Sequence, residues 1–185
     1  LLILTGHFSW EDNLLEQVNT PYISLEDYET FGAELSPLPG EAHDSHTLSQ
    51  DDHDHDDGNI HSYWLLPKNA IAIANATREA FNDLAPQNTE HWQLSFDGFI
   101  ADIENFLELV EETDEEYSFS NLHAVVVFPA EAYVAEAFGI EVDYVLQEGD
   151  NVFISGSELV EVQLALSNGS IDLILGSDIA RLQAG

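Results

Sequence analysis

The sequence contains no cysteine and no methionine. Without cysteine there is neither a disulfide framework nor a thiolate metal site, so any metal ligands must be histidine, aspartate or glutamate. Methionine is missing even at the first position, and the opening residues Leu1–Leu4 already have the pattern of a buried strand. We therefore expect the chain to be an internal or processed piece of a longer protein.

Basic residues are almost absent as well. Three lysines and arginines stand against 36 aspartates and glutamates, which gives a net charge of −33. Phosphate contacts need cations, so this composition excludes nucleic-acid binding and adhesion to an anionic membrane through a basic patch. A hydrophobic content of 44% with clear periodicity predicts a folded chain. We interpret the acidic surface as halophilic, because salt screening makes dense negative charge tolerable.

What the sequence does contain is a stretch rich in histidine and aspartate, DDHDHDDGNIHSYWLLP, at residues 51–67. Imidazole nitrogen is a borderline ligand suited to zinc and similar ions. Five histidines in and beside this stretch are candidate metal ligands: His61, His43, His46, His53 and His55. Their spacing fixes no coordination geometry, so a flexible acidic loop that happens to contain histidine is the alternative interpretation.

The chain order predicts an α/β protein with parallel strands, because its last part alternates strand, helix, strand, helix and strand. An apolar stripe from Trp92 to Val110 predicts a long helix that packs into the core and joins two strand-rich parts. Four segments follow: residues 1–40, the end of an amino-terminal α/β lobe; 41–60, the His/Asp-rich loop; 61–116, a helical region with the interlobe helix; and 117–185, an incomplete carboxy-terminal α/β lobe.

Three segments resemble one family. NIHSYWLLPKNAIAIANATREAF resembles the DPHxWLDPxNA segment of the substrate-binding receptors of zinc and manganese ABC importers. LAPQNTEHWQLSFDGFIADIENF is similar to the long interlobe helix of that family, and VVVFPAEAYVAEAFGIE to its VVSHxAFGYFARxFGL segment. A histidine-rich acidic loop before the first segment is typical of the zinc-specific branch. The resemblance covers residues 59–145 well and the flanks loosely.

The resemblance implies two parallel-sheet α/β lobes joined by a long backbone helix, with one metal ion in the cleft between the lobes. It also implies that this chain is truncated at both ends, with one ligand before Leu1 and a carboxylate after Gly185. The second ligand of the family corresponds to His61. The match departs from the motif here, since the spacing to Pro67 is one residue longer and Leu66 stands in place of an aspartate.

The third ligand of the family, a histidine at a strand end, corresponds to Phe128, which cannot coordinate a metal. A site without that histidine would recruit Glu131, His123 or a loop histidine, bind something else, or bind nothing. His61 itself is either a ligand or a buried histidine bonded to backbone.

Three hypotheses remain open. The first is an extracytoplasmic receptor, monomeric and anchored on the cell surface, that captures zinc (or manganese) as a transported ligand and delivers it to an ABC permease. The second is a related non-transporting surface protein with a degenerate cleft, acting as a scaffold or as a metal buffer through its loop. The third is a metal-dependent hydrolase. The sequence contains no HExxH or HxxxH helix that would support it. We therefore predict a protein that is not an enzyme.

Overall fold

The computed structural model of the chain describes residues 1–39, 58–149 and 152–177. The chain forms two compact units, each built from two stretches: Leu1–Glu34 and Trp64–Glu112 in the first unit, Leu35–Tyr63 and Thr113–Gly185 in the second. His61 therefore belongs to the second unit.

Helices and short strands alternate along the described residues. The helices are α1 Ser9–Gln17, α2 Leu25–Thr30, α3 Pro67–Leu84, α4 Thr89–Tyr117, α5 Pro129–Ala137 and α6 Gly156–Asn168. The strands are β1 Leu2–Ile3, β2 Tyr22–Ile23, β3 His123–Val126, β4 Glu141–Val145, β5 Gln147–Gly149, β6 Val152–Phe153 and β7 Leu173–Leu175. Single 3-10 turns lie at Tyr63–Leu65, Pro86–Asn88 and Phe119–Asn121. No helix among the described residues is both long enough and apolar enough to cross a membrane.

The first unit holds a parallel pair, β1 and β2, in which Ile3 is the partner of Ile23. The side chain of Tyr28 in α2 is buried against the ends of both strands. Its hydroxyl lies 2.7 Å from the carbonyl oxygen of Leu4 and 3.3 Å from that of Ile23. Burial raises the pKa of Tyr28 to about 12, with a smaller contribution from the charges of neighbouring acids. The predicted strand at the start of the chain is confirmed, but the prediction that it is buried is wrong, since Ile3 is 51% exposed.

The two long helices, α3 and α4, follow each other along the chain. Pro67 occupies the first turn of α3, where the missing backbone N–H is not needed. Helix α4 has 29 residues and continues from the first unit into the second, because Glu112 is the last residue of one and Thr113 the first of the next. The prediction that its apolar stripe packs into the core is wrong for these residues, since none of the α4 side chains is buried. The stripe is a half-buried face.

The second unit holds a three-stranded sheet in the order β4-β3-β7, parallel throughout. Helix α5 connects β3 to β4, and α6 lies between β4 and β7, as the alternation of strand and helix predicted. Its core is formed by Val125, Val162, Ala165 and Ile171. An antiparallel pair, β5 with β6, is an addition that the sequence did not predict. The predicted fold class, α/β with two parallel-sheet lobes and a long helix, is confirmed.

A buried glutamate holds the loop between β1 and α1 of the first unit. Glu11, in the first turn of α1, is 4% exposed, and one carboxylate oxygen accepts hydrogen bonds from the Thr5 backbone N–H at 2.8 Å and the Thr5 hydroxyl at 3.0 Å. The other oxygen accepts from the backbone N–H of His7 at 3.1 Å. Burial raises the pKa of Glu11, but these hydrogen bonds outweigh burial and leave the pKa below its ordinary value of 4.5.

We expect Glu11→Gln to lower the free energy of unfolding by about 1–3 kcal/mol at neutral pH, because charge-assisted hydrogen bonds in a buried site are lost. The depressed pKa means that the stabilisation is present above pH 4.5 and is lost as the pH falls through the lower, folded-state pKa. Urea unfolding at several pH values measures this. The exposed neighbour Glu16, replaced by Gln, is the matched control. If the difference in unfolding free energy between the two variants does not become smaller as the pH falls, the result would contradict this role for Glu11.

Candidate functional site

The segment that leads into His61 is fixed by a buried asparagine. Asn59 is 3% exposed. Its backbone N–H donates to the carbonyl oxygen of Ser36 at 2.9 Å, and its side-chain amide donates to the carbonyl oxygen of Pro129 at 2.8 Å. Asn59 thus joins the chain before residue 40, the chain after residue 57 and the first turn of α5.

A buried tyrosine completes the same arrangement. Tyr133, on α5, is fully buried; its hydroxyl donates to the carbonyl oxygen of Asn59 and accepts from the backbone N–H of Ser36 at 3.0 Å. Burial raises the pKa of Tyr133 to about 12, so the hydroxyl keeps its proton. We call Ser36, Asn59, Pro129 and Tyr133 the Asn59–Tyr133 network. It holds Ser36 and Asn59, which flank the histidine-rich segment in the sequence, against α5.

Leu35 and Gly58, on either side of the histidine-rich segment in the sequence, lie close together. A Cβ added at Gly58 would lie 2.3 Å from the Cβ of Leu35, so only glycine fits there without movement of the backbone. Beside the network, α5 and the chain around Ser36 enclose a cavity of about 290 Å³, whose lining includes Glu136 and Asn59. Neither His61 nor Phe128 lines this cavity.

His61 lies two residues beyond the buried asparagine. Its backbone N–H donates to the side-chain oxygen of Asn59 at 3.0 Å, and its side chain is partly exposed. Ser62, the next residue, has a φ of +63°. The backbone of His61 is therefore set by hydrogen bonds and by the turn, while the imidazole has access to solvent. A metal-ligating residue needs a fixed backbone and an accessible side chain. No group of three potential metal ligands among the described residues includes His61.

Phe128 lies two residues after the end of β3 and is the N-cap residue of α5. The resemblance predicts a histidine ligand at this position. Its side chain is half-buried and its ring centroid lies 6.3 Å from that of Phe153. Glu131 holds the backbone there: one carboxylate oxygen accepts from the N–H groups of Val127 at 2.9 Å and Phe128 at 3.0 Å, and the other accepts from that of Ser177. Both oxygens of Glu131 are therefore engaged, which argues against Glu131 as the substitute ligand.

His123, the other named substitute, opens β3 and thus lies at the opposite end of that strand from Phe128. At about 3.3 Å per residue, five residues separate the two by roughly 16 Å. His123 instead contacts Asp143, with 2.9 Å between Nδ1 and the carboxylate. The hydrogen bond and then the charge of Asp143 raise the pKa of His123 above its ordinary value. Among the described residues, one group of three potential metal ligands exists, and it is His123, Glu141 and Asp143.

The loop histidines His43, His46, His53 and His55 lie outside the described residues. Their role as metal ligands stays a prediction. Two features of this region were not predicted: the network that positions His61, and the group around His123. Asn59 stands two residues before His61 in the sequence, but its partners on α5 lie 70 residues away or more.

The comparisons with known proteins agree with this architecture. The profile of the zinc-uptake complex component A family (ZnuA, periplasmic) matches residues 1–179, and the chain belongs to that family. Among curated proteins, none matches the sequence.

Three solved structures illustrate the likeness. A manganese-bound periplasmic metal-binding protein from Candidatus Liberibacter asiaticus is 20% identical, with a TM-score of 0.63, 95% of this chain covered and 60% of that chain. A zinc-bound deletion mutant of ZnuA is 16% identical, with a TM-score of 0.64 and coverages of 95% and 61%. The binding protein FpvC from P. aeruginosa, in complex with nickel, is 15% identical, with a TM-score of 0.61 and coverages of 94% and 58%. At these identities the likeness is one of fold, and the chain spans about 60% of the length of these relatives.

We expect Tyr133→Phe to lower the free energy of unfolding by about 1–3 kcal/mol, because a buried N–H of Ser36 and a buried carbonyl of Asn59 lose their partner. Hydrogen exchange at the amides of Asn59 and His61 should become faster, since the end of the segment is released from α5. Chemical unfolding and amide exchange measure the two effects. Tyr117, which is 67% exposed, gives the control variant Tyr117→Phe. Equal unfolding free energies for the two variants would contradict the importance of the network.

Proposed function

We propose that the protein is a receptor, not an enzyme, that captures a divalent transition-metal ion outside the cytoplasm. The observation that carries the proposal is the fixed position of His61, whose backbone is held by buried Asn59 while its imidazole stays partly exposed. Membership of the zinc-uptake family supports metal capture. The similar structures with manganese, zinc and nickel bound support a divalent transition metal as the class of ligand.

Zinc is the ion that we propose as the transported ligand, with manganese as the second choice. A neutral imidazole nitrogen suits zinc better than it suits calcium or magnesium, which prefer oxygen. His61 alone cannot hold an ion, so the proposal requires further ligands beyond the described residues. A receptor encloses its ion, whereas a hydrolase keeps one coordination position open beside a general base. We further propose that the receptor acts as a monomer and delivers its ion to an ABC permease.

The acidic loop has a proposed role of its own. His43, His46, His53 and His55 would bind metal weakly and exchange it rapidly, because their spacing enforces no geometry. The net charge of −33 raises the local concentration of cations near the surface, an effect that salt reduces. The Asn59–Tyr133 network supports this role, since it holds Ser36 and Asn59, which flank this segment in the sequence, against α5.

A second candidate is a related surface protein whose principal site no longer holds a metal. Phe128 in the position of a family ligand favours it, as does the engagement of both Glu131 oxygens by backbone N–H groups. In that case the loop histidines would be the main metal-binding groups, and the protein would act as a buffer or scaffold.

We expect His61→Ala to remove one tight, stoichiometric zinc site from the full-length protein, with affinity falling at least about tenfold, since a ligand is lost. Deletion of residues 41–57 should leave that site in place and remove only weaker binding. Zinc titration by calorimetry at high salt measures both, with His91→Ala as the control because His91 is exposed on α4. Only weak, multiple binding that vanishes with the loop would favour the second candidate.

Phe128→His tests the position of the missing ligand directly. If the principal site includes this position, the new imidazole should tighten zinc binding at least about tenfold, because one more ligand reaches the ion. Phe128→Leu keeps an apolar side chain and should leave the affinity unchanged. The same titration measures all three proteins. An affinity for the histidine variant equal to that of the leucine variant would remove position 128 from the site.

A further inference from the structure

Three side chains with metal-binding atoms meet at the amino-terminal edge of the three-stranded sheet. His123 is the first residue of β3 and Glu141 the first residue of β4. The parallel register makes these two residues direct partners. Neighbouring strands lie about 4.8 Å apart, so partner side chains on the same face of a sheet are within reach of one ion.

An irregularity in the sheet brings the third side chain into the group. The register of β3 with β4 shifts between Ala124 and Val125, which pair with Val142 and Tyr144, so Asp143 has no partner on β3. An extra residue of this kind re-aims its side chain. The carboxylate of Asp143 lies 2.9 Å from Nδ1 of His123, and one ligand atom from each of the three residues lies within 4.8 Å of the others.

The group is acidic and has no basic neighbour. The described residues of the second unit contain neither lysine nor arginine, and Lys68 and Arg78 of the first unit are paired with Glu34 and Glu79. Asp172 adds a further carboxylate, but it accepts the backbone N–H of His123 at 2.9 Å and so positions the histidine. The carboxylates of Glu141 and Asp143 therefore have no lysine or arginine as a counter-charge among the described residues of this unit, and a cation would supply that charge.

The chemistry of the three ligands selects the kind of cation. Two carboxylate oxygens alone would suit calcium or magnesium, whereas the imidazole nitrogen shifts the preference to zinc, nickel or manganese. The side chains of His123 and Asp143 are 41% and 31% exposed, and Glu141 is exposed, so water can fill the remaining coordination positions. Ligand atoms around one zinc ion lie closer together than 4.8 Å, and exposed Glu141 has the freedom to close that difference.

We propose that His123, Glu141 and Asp143 form a second, solvent-accessible site for a divalent transition-metal ion, separate from the principal site at His61. His123 and Phe128 lie at opposite ends of β3, so this second site is separate from position 128. Because the site is open and has three protein ligands, it exchanges its ion with solvent. It binds more weakly than an enclosed site.

The first test uses a protein from which the other proposed ligands have been removed, His61→Ala with residues 41–57 deleted. Zinc titration by calorimetry should still detect one site. Adding His123→Gln should weaken that binding at least about tenfold, as should Glu141→Gln, which alters an exposed side chain and leaves the core intact. The matched control is His91→Gln, which removes an exposed imidazole from α4.

A second test keeps His61 and residues 41–57 and first fills the principal site with one equivalent of Zn²⁺. Substoichiometric Mn²⁺ added in a magnesium background should then broaden the NMR signals of the His123 ring before those of His91, and Glu141→Gln should abolish that preference. No zinc binding in the protein lacking His61 and the loop, an equal effect of the His91 and His123 variants, or equal broadening of the two rings would overturn the site. Loss of the tight site in His61→Ala alone bears on the proposed receptor function and leaves this inference untouched.

Discussion

The hydrogen bonds of buried Asn59 are the constraint on which the candidate site depends. A buried amide is costly unless its polar groups are paired, and here the backbone N–H, the carbonyl, the side-chain oxygen and the side-chain amide each have a partner. Those partners are Ser36, Tyr133, His61 and Pro129. One residue therefore fixes where Ser36 and the backbone of His61 lie relative to the first turn of α5.

Negative charge sets the second constraint. Of the three basic residues, Lys68 and Arg78 are committed to ion pairs in the first unit, and the guanidinium of Arg78 also lies 4.7 Å from the ring centroid of Phe96. Carboxylates elsewhere are stabilised by backbone N–H groups, as at Glu11 and Glu131, or are left to solvent and ions. At about 1 M salt the screening length falls to roughly 3 Å, so exposed acids scarcely repel one another while contact pairs persist.

Much of the fold could be predicted from the sequence because it rests on local patterns. The alternation of strand and helix predicted the parallel sheet of the second unit. The site was harder to predict because its contacts join distant positions: the Tyr133 hydroxyl meets the Asn59 carbonyl across 74 residues. The shift of register that brings Asp143 to His123 leaves no local signal either. Periodicity also could not say how deeply the stripe of α4 would be buried, since burial depends on what packs against it.

The backbone at position 128 is held by groups other than its own side chain. Phe128 lies between β3 and α5, and Glu131 accepts hydrogen bonds from the backbone N–H groups of Val127 and Phe128. These hydrogen bonds do not involve the side chain of Phe128, so we expect a substitution there to leave them in place. Backbone hydrogen bonds stabilise the scaffold, whereas the ligands set the affinity of a metal site, so the two properties can change independently.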